Sequence, residues 1–411
     1  MGMVSMKSLK NPVVDAVICN FNQGRWLPVS LDRLFRQSFG LRRIHFVDNA
    51  STDDSLQVVQ NAVSGCPGEM KIHGMKKNLG GAGGFAFGTE AAMQDNPDFL
   101  MLIDGDAFLH EHTVEELVGC AMERKEVAAL GPKIYLARTS GETWGEIASG
   151  RVIQEIGGML DWERADFLLQ YNKRDENTLA ELKGIFPVDY VAACACLVRA
   201  EAVARCGTMD PSYFLYWDDI NWCTRMRAAG YRIEVFADAL AWHVGGGRVR
   251  VSLKPTYYYW RNKIRFFGTH RGLKPEVPAL ENALFYGLRA VFTCRLFGQD
   301  TTADILEKSL EDGWTDSRKP LDIPEEALQI QPLGRRVEPK RNNDGLRWIE
   351  DLEHVMEIPD SAAGLDPERT VLSDRYGKEM LLDDARNALE QFNRWYPERL
   401  AQLQRLPGAW I

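Results

Sequence analysis

Asp104 and Asp106 stand one residue apart at the end of the apolar run Phe99-Leu-Met-Leu-Ile. In an extended chain residues i and i+2 project to the same side, so the two carboxylates can converge on one hard cation. Two oxygen ligands leave most of an octahedral shell for water and a diphosphate, as is usual for Mg2+ or Mn2+ in phosphate-handling sites. A lone Asp-x-Asp is common in surface turns. The apolar run before it predicts a buried strand with the pair at its carboxyl end, where open α/β sheets bind ligands.

A second cluster follows in Phe214-Leu-Tyr-Trp-Asp218-Asp219-Ile-Asn-Trp222. Two adjacent carboxylates are costly to bury together, because like charge raises the pKa of one. A carboxylate so tuned can serve as general base toward a hydroxyl. Further on, Ala237-Asp-Ala-Leu-Ala-Trp-His243 ends an apolar run in an imidazole just before Gly245-Gly-Gly. A histidine closing a strand could complete the shell of a cation held by Asp104 and Asp106. Taken alone, His243 reads equally as a packed core or surface histidine.

The elements that must position these groups alternate. Residues 13–19 read as a buried first strand ending at Asn20-Phe-Asn, and residues 25–38 carry Leu27, Leu31, Leu34 and Phe35 at helical spacing. Residues 43–47 form a second strand, broken by Asp48-Asn-Ala-Ser-Thr-Asp53, with Ser51-Thr-Asp-Asp as the N-cap region of a helix over 54–63. A third strand over 70–75 leads into Asn78-Leu-Gly-Gly-Ala-Gly-Gly84 and a helix through Met93; residues 99–103 are the fourth strand. Such alternation with short links predicts a mostly parallel sheet flanked by helices, an α/β fold. The glycine run lacks GxGxxG spacing. It offers close backbone approach to a bulky polar ligand, with N–H groups aimed at negative charge.

Residues 127–158 suggest shorter strands in an antiparallel excursion, and residues 161–183 a polar loop. Residues 188–199 are strongly apolar, and residues 201–206 helical. Residues 254–297 interleave aromatics with Arg and Lys on helical patterns, which suits helices packed on the preceding domain with snorkelling cations, and equally an interfacial surface. Residues 319–343 read as a linker rich in Pro and charge, and 344–411 as a helical tail clearest over 383–403. The expected division is an α/β domain over 1–253, a helical segment over 254–318, the linker, and the tail. The C-terminal region is thus mainly helical.

Composition narrows the classes. The chain has 411 residues and a net charge of −9, which speaks against a dedicated nucleic-acid binder. Residues 1–10 lack the apolar core of a signal peptide. No apolar run reaches the roughly 18 residues that span a bilayer. The eight cysteines include no CxxC, so they read as reduced packing residues of a cytosolic protein rather than a zinc site.

Taken in order, the Asn-Phe-Asn strand end, the Asp48 segment, the Asn-x-Gly-Gly loop, Asp-x-Asp, the acidic pair and the final His resemble metal-dependent inverting glycosyltransferases of family 2, with the Rossmann-like GT-A fold. The resemblance covers roughly residues 13–270. Within that family, Asn78-Leu-Gly-Gly-Ala-Gly-Gly-Phe85 and Trp217-Asp-Asp are most similar to bacterial galactofuranosyltransferases, and next to rhamnosyltransferases that use dTDP-rhamnose.

The resemblance implies that Asp48 contacts the uracil or ribose of a UDP-sugar, with Asn20, Asn78, Gly80, Gly81, Gly83, Gly84 and Asp104 around the donor. It implies Asp104, Asp106 and His243 as ligands of Mn2+ or Mg2+, Asp219 as the base, and Asp218 orienting the acceptor. Tyr190, Trp217 and Trp222 are candidates to stack on acceptor sugar rings. The implied acceptor is a glycan or lipid-linked glycan of cell-surface polysaccharide assembly, handled in the cytoplasm. Peripheral contact with the inner face of the membrane and homo-oligomer formation are both compatible with the tail and the aromatic stretch. The chain departs from galactofuranosyl members at Gly105, where they usually carry a third acid. It also departs in seeming to lack the large amino-terminal domain of polymerising members, which favours single addition. The competing readings are nucleotidyl transfer, for which residues 11–23 lack the basic glycine-rich signature, and a non-catalytic glycan-binding module.

Overall fold

The computed structural model describes residues 11–141, 143–180, 182–245, 253–296, 298–323, 371–373 and 379–410. The chain divides into two compact units, one of residues 1–160 and 167–247, the other of residues 161–166 and 248–411.

The first unit is built on a mixed, mostly parallel sheet. Strands β1 (Val14–Asn20), β2 (Arg43–Asp48), β3 (Glu69–Gly74) and β4 (Phe99–Asp104) pair in parallel in the order β3-β2-β1-β4. They alternate with α1 (Leu27–Phe35), α2 (Ser55–Ala62) and α3 (Gly80–Met93). Each of the first two strands is almost wholly buried, as a sheet covered on both faces requires. Register then fixes the site: Asn20 lies opposite Asp48 and Cys19 opposite Asp104, so three strand ends present polar groups in one row.

Helix α3 begins earlier than its sequence suggests, because the glycine run forms its first turns rather than a loop ahead of it. Glycine is a poor helix former, and packing compensates. A Cβ at Gly84 would lie 2.4 Å from Cys19 Sγ, and one at Gly88 2.4 Å from Val17 Cγ1. The close approach these glycines permit is therefore to β1.

After β4 come β5 (Ala107–Leu109), α4 (Thr113–Glu123) and β6 (Val127–Leu136), then the short helix α5 (Trp144–Ile147) and β7 (Ile153–Glu155). The antiparallel excursion holds in part: β6 is antiparallel to β7 and to one later strand, but it is long, and parallel to another. Strands β8 (Gly158–Asp161) and β9 (Asp166–Leu169) form a two-stranded sheet where a loop was expected. The outer half of the main sheet is completed by β10 (Ile185–Val188), β11 (Ala195–Arg199) and, after α6 (Ala200–Cys206) and α7 (Asp218–Ala228), β12 (Arg232–His243). β11 runs antiparallel to β4, and β12 parallel to β6. The end of β12 also pairs with β5, with His243 opposite Ala107.

The second unit is helical: α8 (Lys254–His270), α9 (Ala279–Leu296), α10 (Asp300–Trp314) and α11 (Leu382–Gln404), with a small pair of strands, β13 (Val371–Ser373) and β14 (Glu379–Leu381). The aromatic and basic residues of α8 are internal. Arg261, Lys263 and Arg265 are at most 1% exposed; Lys263 pairs with Asp166 at 3.1 Å and Arg265 with Asp316 at 2.7 Å. Phe285 and Phe292 of α9 pack against Phe392, Trp395 and Tyr396 of α11. The expected linker lies outside the described residues beyond Ile323. Among the described residues no helix is long and apolar enough to cross a membrane, and all eight cysteines are free.

Candidate metal centre and acid pair

The first unit brings Asp104, Asp106 and His243 together. Their ligand atoms all lie within 4.8 Å of one another, with His243 Nε2 3.7 Å from Asp104 Oδ2 and 3.4 Å from Asp106 Oδ1. Topology is the cause. Asp104 ends β4, Asp106 immediately precedes β5, and β5 pairs with the last residues of β12. The Asp-x-Asp turn and the histidine are thereby laid on one another.

Side-chain partners hold each ligand. Gln23 Nε2 donates to Asp106 Oδ2 at 3.1 Å. The side-chain amide of Gln154 is 3.2 Å from His243 Nδ1. With Nδ1 engaged, Nε2 is the ring atom that faces the two acids. A Cβ at Gly105 would lie 2.4 Å from Asn20 Oδ1.

The electrostatics are those of a site short of positive charge. Burial pushes the Asp104 carboxyl up to about 7; His243 opposes the rise, while Asp106 and Asp219 add to it. Burial depresses His243, but the Cys194 sulfur and the Asp106 carboxylate outweigh it and hold the imidazole well above its ordinary value. Protons are retained where two carboxylates and an imidazole crowd together. Two hard oxygens and one ring nitrogen at these separations are a fitting donor set for Mn2+ or Mg2+.

The acid pair opens α7. Asp218 is buried, whereas Asp219 is partly exposed, and Asp219 Oδ1 accepts from Ile220 N at 2.8 Å. Burial raises the Asp219 carboxyl to about 6, against the pull of backbone N–H bonds from Ile220 and Ala193. Asp218 rises well above its ordinary value, first through burial and then through Asp219. The same pair raises neighbours: Asp219 acts on Asp104, and Asp218 on Cys19.

On the donor side, Asn20 Nδ2 donates to Asp48 Oδ1 at 3.4 Å and to Ser51 Oγ at 3.1 Å. Asp48 Oδ2 accepts from Ser51 N at 3.3 Å. Asn78 caps its own turn by accepting from Gly80 N at 2.7 Å. Around Gly81 a Cβ would meet nothing within 4 Å, whereas Gly80, Gly83 and Gly84 each have a neighbour closer than 3 Å.

Tyr190, Trp217 and Trp222 are 2%, 1% and 1% exposed. Phe167 packs edge-on against both Tyr190 and Trp217, and Trp222 Nε1 donates to Gly207 O at 2.7 Å. All three rings are thus buried.

Sequence reading did not single out Gln23, Gln154 or Glu155. Glu155, at the end of β7, is 4% exposed, and its Oε1 has no hydrogen-bond partner. Burial lifts its carboxyl to about 7, Asp219 adds to the rise, and His243 and the Ala192 N–H oppose it. None of the three lies in a spaced motif, and only the pairing of β6 with β7 brings Gln154 and Glu155 to the site.

The family model described as glycosyltransferase like family 2 matches residues 12–260. The chain is 26% identical over 234 residues to "Galactofuranosyltransferase GlfT1" of Mycobacterium tuberculosis, covering 57% of this chain and 70% of that protein. Over 110 residues it is 34% identical to "Galactofuranosyltransferase GlfT1" of Mycolicibacterium smegmatis, covering 26% of this chain and 35% of that protein. Among solved structures it resembles GalNAc-T7 with UDP, GalNAc and Mn2+ at 13% identity and a TM-score of 0.48, over 63% of this chain and 48% of that one.

Proposed function

The chain belongs to glycosyltransferase family 2, with the GT-A fold, and from that membership we propose that it transfers a sugar, with inversion, from a UDP-sugar to a hydroxyl of a glycan or lipid-linked glycan. Galactofuranose is the favoured sugar, because the relatives named above are galactofuranosyltransferases. The observation that carries the reading is the convergence of Asp104, Asp106 and His243 beside the electrostatically linked acid Asp219. The chemistry falls to residues 1–253, with the helical segment and tail as accessories.

In this reading Asp104, Asp106 and His243 hold Mn2+ or Mg2+, which when bound offsets the negative charge that grows on the departing diphosphate. Asp48, steadied by Asn20 and Ser51, receives the uracil or ribose. Asn78 and the opening turn of α3 border the diphosphate, on the side where a Cβ at Gly81 would meet nothing within 4 Å. Asp219 takes the proton of the acceptor hydroxyl as its oxygen attacks the anomeric carbon from the face opposite the leaving group. The bond to the diphosphate breaks, UDP leaves, and the configuration inverts. Asp218, buried behind it, orients the acceptor side.

The test is release of UDP from UDP-galactofuranose with Mn2+ and with chelator, alongside dTDP-rhamnose and a sugar 1-phosphate with UTP. Metal-dependent UDP release, raised by a galactofuranosyl or rhamnosyl glycoside acceptor, is expected. Release of dTDP alone would reassign the donor, pyrophosphate release the reaction class, and no turnover with any donor would leave a binding module.

A further inference from the structure

Between the donor side and the acid pair runs a chain of contacts that neither the metal nor the base requires. Asn49, directly after β2, is 1% exposed. Its Oδ1 accepts from Leu79 N and its Nδ2 donates to Gly80 O, both at 2.8 Å. Both ends of one buried amide thus clamp the turn that starts α3. Gly80 has φ +73°, and a Cβ on it would lie 2.0 Å from Phe214 O. Ala82 N, one step further along, donates to that same oxygen at 3.2 Å.

Phe214 itself is strained. Its φ of 66° and ψ of −57°, with Leu215 N bonded to Tyr213 O at 2.8 Å, make a γ-turn of the rare handedness. Tyr216 and Trp217 also have positive φ, 63° and 65°. Trp217 is the residue that caps α7, and Asp218 and Asp219 follow it. Three bulky residues in the left-handed region within four positions persist only where the surroundings impose them. Gly80 and Ala82 are two of the neighbours that touch Phe214 O.

We propose that Asn49 and Gly80 are positioning residues for the acid pair: Asn49 fixes the turn at Leu79 and Gly80, that turn fixes Phe214, and Phe214 sets the entry of α7. The inference rests on the reading of Asp219 as base, and it adds that the donor-side turn and the base are one mechanical unit. The sequence neighbours of Asp48 and Asn78 then matter for the acceptor step as well as for the donor.

Hydrogen exchange on the full chain, without substrate, tests the link independently of catalysis. Asn49→Ala is expected to raise exchange at residues 79–82 and, together with them, at 214–218, while β1 and β4 stay as in the parent. Faster exchange at 79–82 with 214–218 unchanged would overturn the proposal. If Asn49→Ala does not fold, Asn49→Asp, which keeps the bond from Leu79 and loses the donor to Gly80, is read the same way.

Kinetics supply the second readout. Displacing a base by about 1 Å costs on the order of 10²-fold, so Gly80→Ala should lower kcat about 10-fold or more, over and above any rise in donor KM that its place on the donor side brings. Adding Phe214→Gly, which accepts the positive φ freely, should restore part of kcat. Independent, multiplying losses in the double variant, or a rise in donor KM alone, would count against the coupling. A parent protein that turns over no nucleotide sugar would refute the proposed function, yet the exchange result would still decide whether the two segments are joined.

Discussion

Nε2 of His243 lies 3.4 Å from Oδ1 of Asp106 because β12 and β5 pair with His243 opposite Ala107, the residue after that aspartate. The contact is a product of register: a slip of one residue in β12 would turn the imidazole to the other face of the sheet. Asp104 joins from the end of β4, and the crowding holds the Asp104 carboxyl and the His243 imidazole above their ordinary values. Asp104→Ala should therefore weaken UDP binding in the presence of Mn2+ and leave the weaker, metal-free binding unchanged. Calorimetry with and without Mn2+ measures both. Equal affinity of parent and variant under both conditions would remove the metal site from the account.

With Asp219 as the base of the proposed reaction, its burial sets the pH dependence of turnover. Burial has raised its carboxyl to about 6, and only the deprotonated form can accept a proton. Turnover should accordingly climb as pH rises through about 6 and level off above. A cation held at Asp104, a neighbour that interacts with Asp219, favours the carboxylate and moves this limb to lower pH. Asp219→Asn should cost about 10²–10⁴-fold in kcat, the usual worth of base catalysis, and spare UDP binding. A variant with near-parental kcat and the same pH profile would rule out Asp219 as the base.

Gln154 decides which nitrogen of His243 is available. Its amide stands 3.2 Å from Nδ1, and its own backbone carbonyl accepts from Asn172 Nδ2 at 2.7 Å, which anchors the strand. Partners of this kind typically account for about 10–100-fold in metal affinity. Gln154→Leu should reduce Mn2+ affinity by that order, while the thermal midpoint of the metal-free protein moves little. Mn2+ titration followed by electron paramagnetic resonance measures the first, and unchanged affinity would make Gln154 a bystander.

The parts of this site that sequence exposes are the ones that end regular elements. Asp104 closes an apolar strand, His243 closes another, and Asp218 and Asp219 open a helix, so each announces itself by a change of pattern. The start of α3 was hidden because four glycines in its first five residues are held helical by tertiary packing at Gly84 and Gly88. Residues 161–183 read as a loop because the Asp166–Leu169 strand is short and begins with a carboxylate. Tyr190, Trp217 and Trp222 suggested a sugar platform by composition, but aromatic type does not reveal exposure, and all three are packed. Gln154 and Glu155 carry no spacing signal whatever; their relation to His243 exists only after β7 has paired with β6.

Glu155 offers a test of the site's electrostatics that needs no substrate. Its carboxyl is raised from 4.5 to about 7, chiefly by burial, so the folded state holds this proton more firmly than the unfolded chain does. Between those two values the folded state binds more protons, and stability must fall as pH rises. The destabilisation is complete above about 7 and absent below the unfolded value. Glu155→Gln removes the charge and keeps the shape. At pH 8 the metal-free variant should exceed the parent by on the order of 2–3 kcal/mol, the worth of such a shift, and near pH 4 the two should converge. Asp104, Asp218 and His243 have raised values of the same sign, so part of the parent's slope survives in the variant. Urea denaturation at the two pH values reads the difference. A variant less stable than the parent at pH 8 would mean that Glu155 is ionised and partnered there, and that the crowding of negative charge around Asp219 and His243 is smaller than its burial implies.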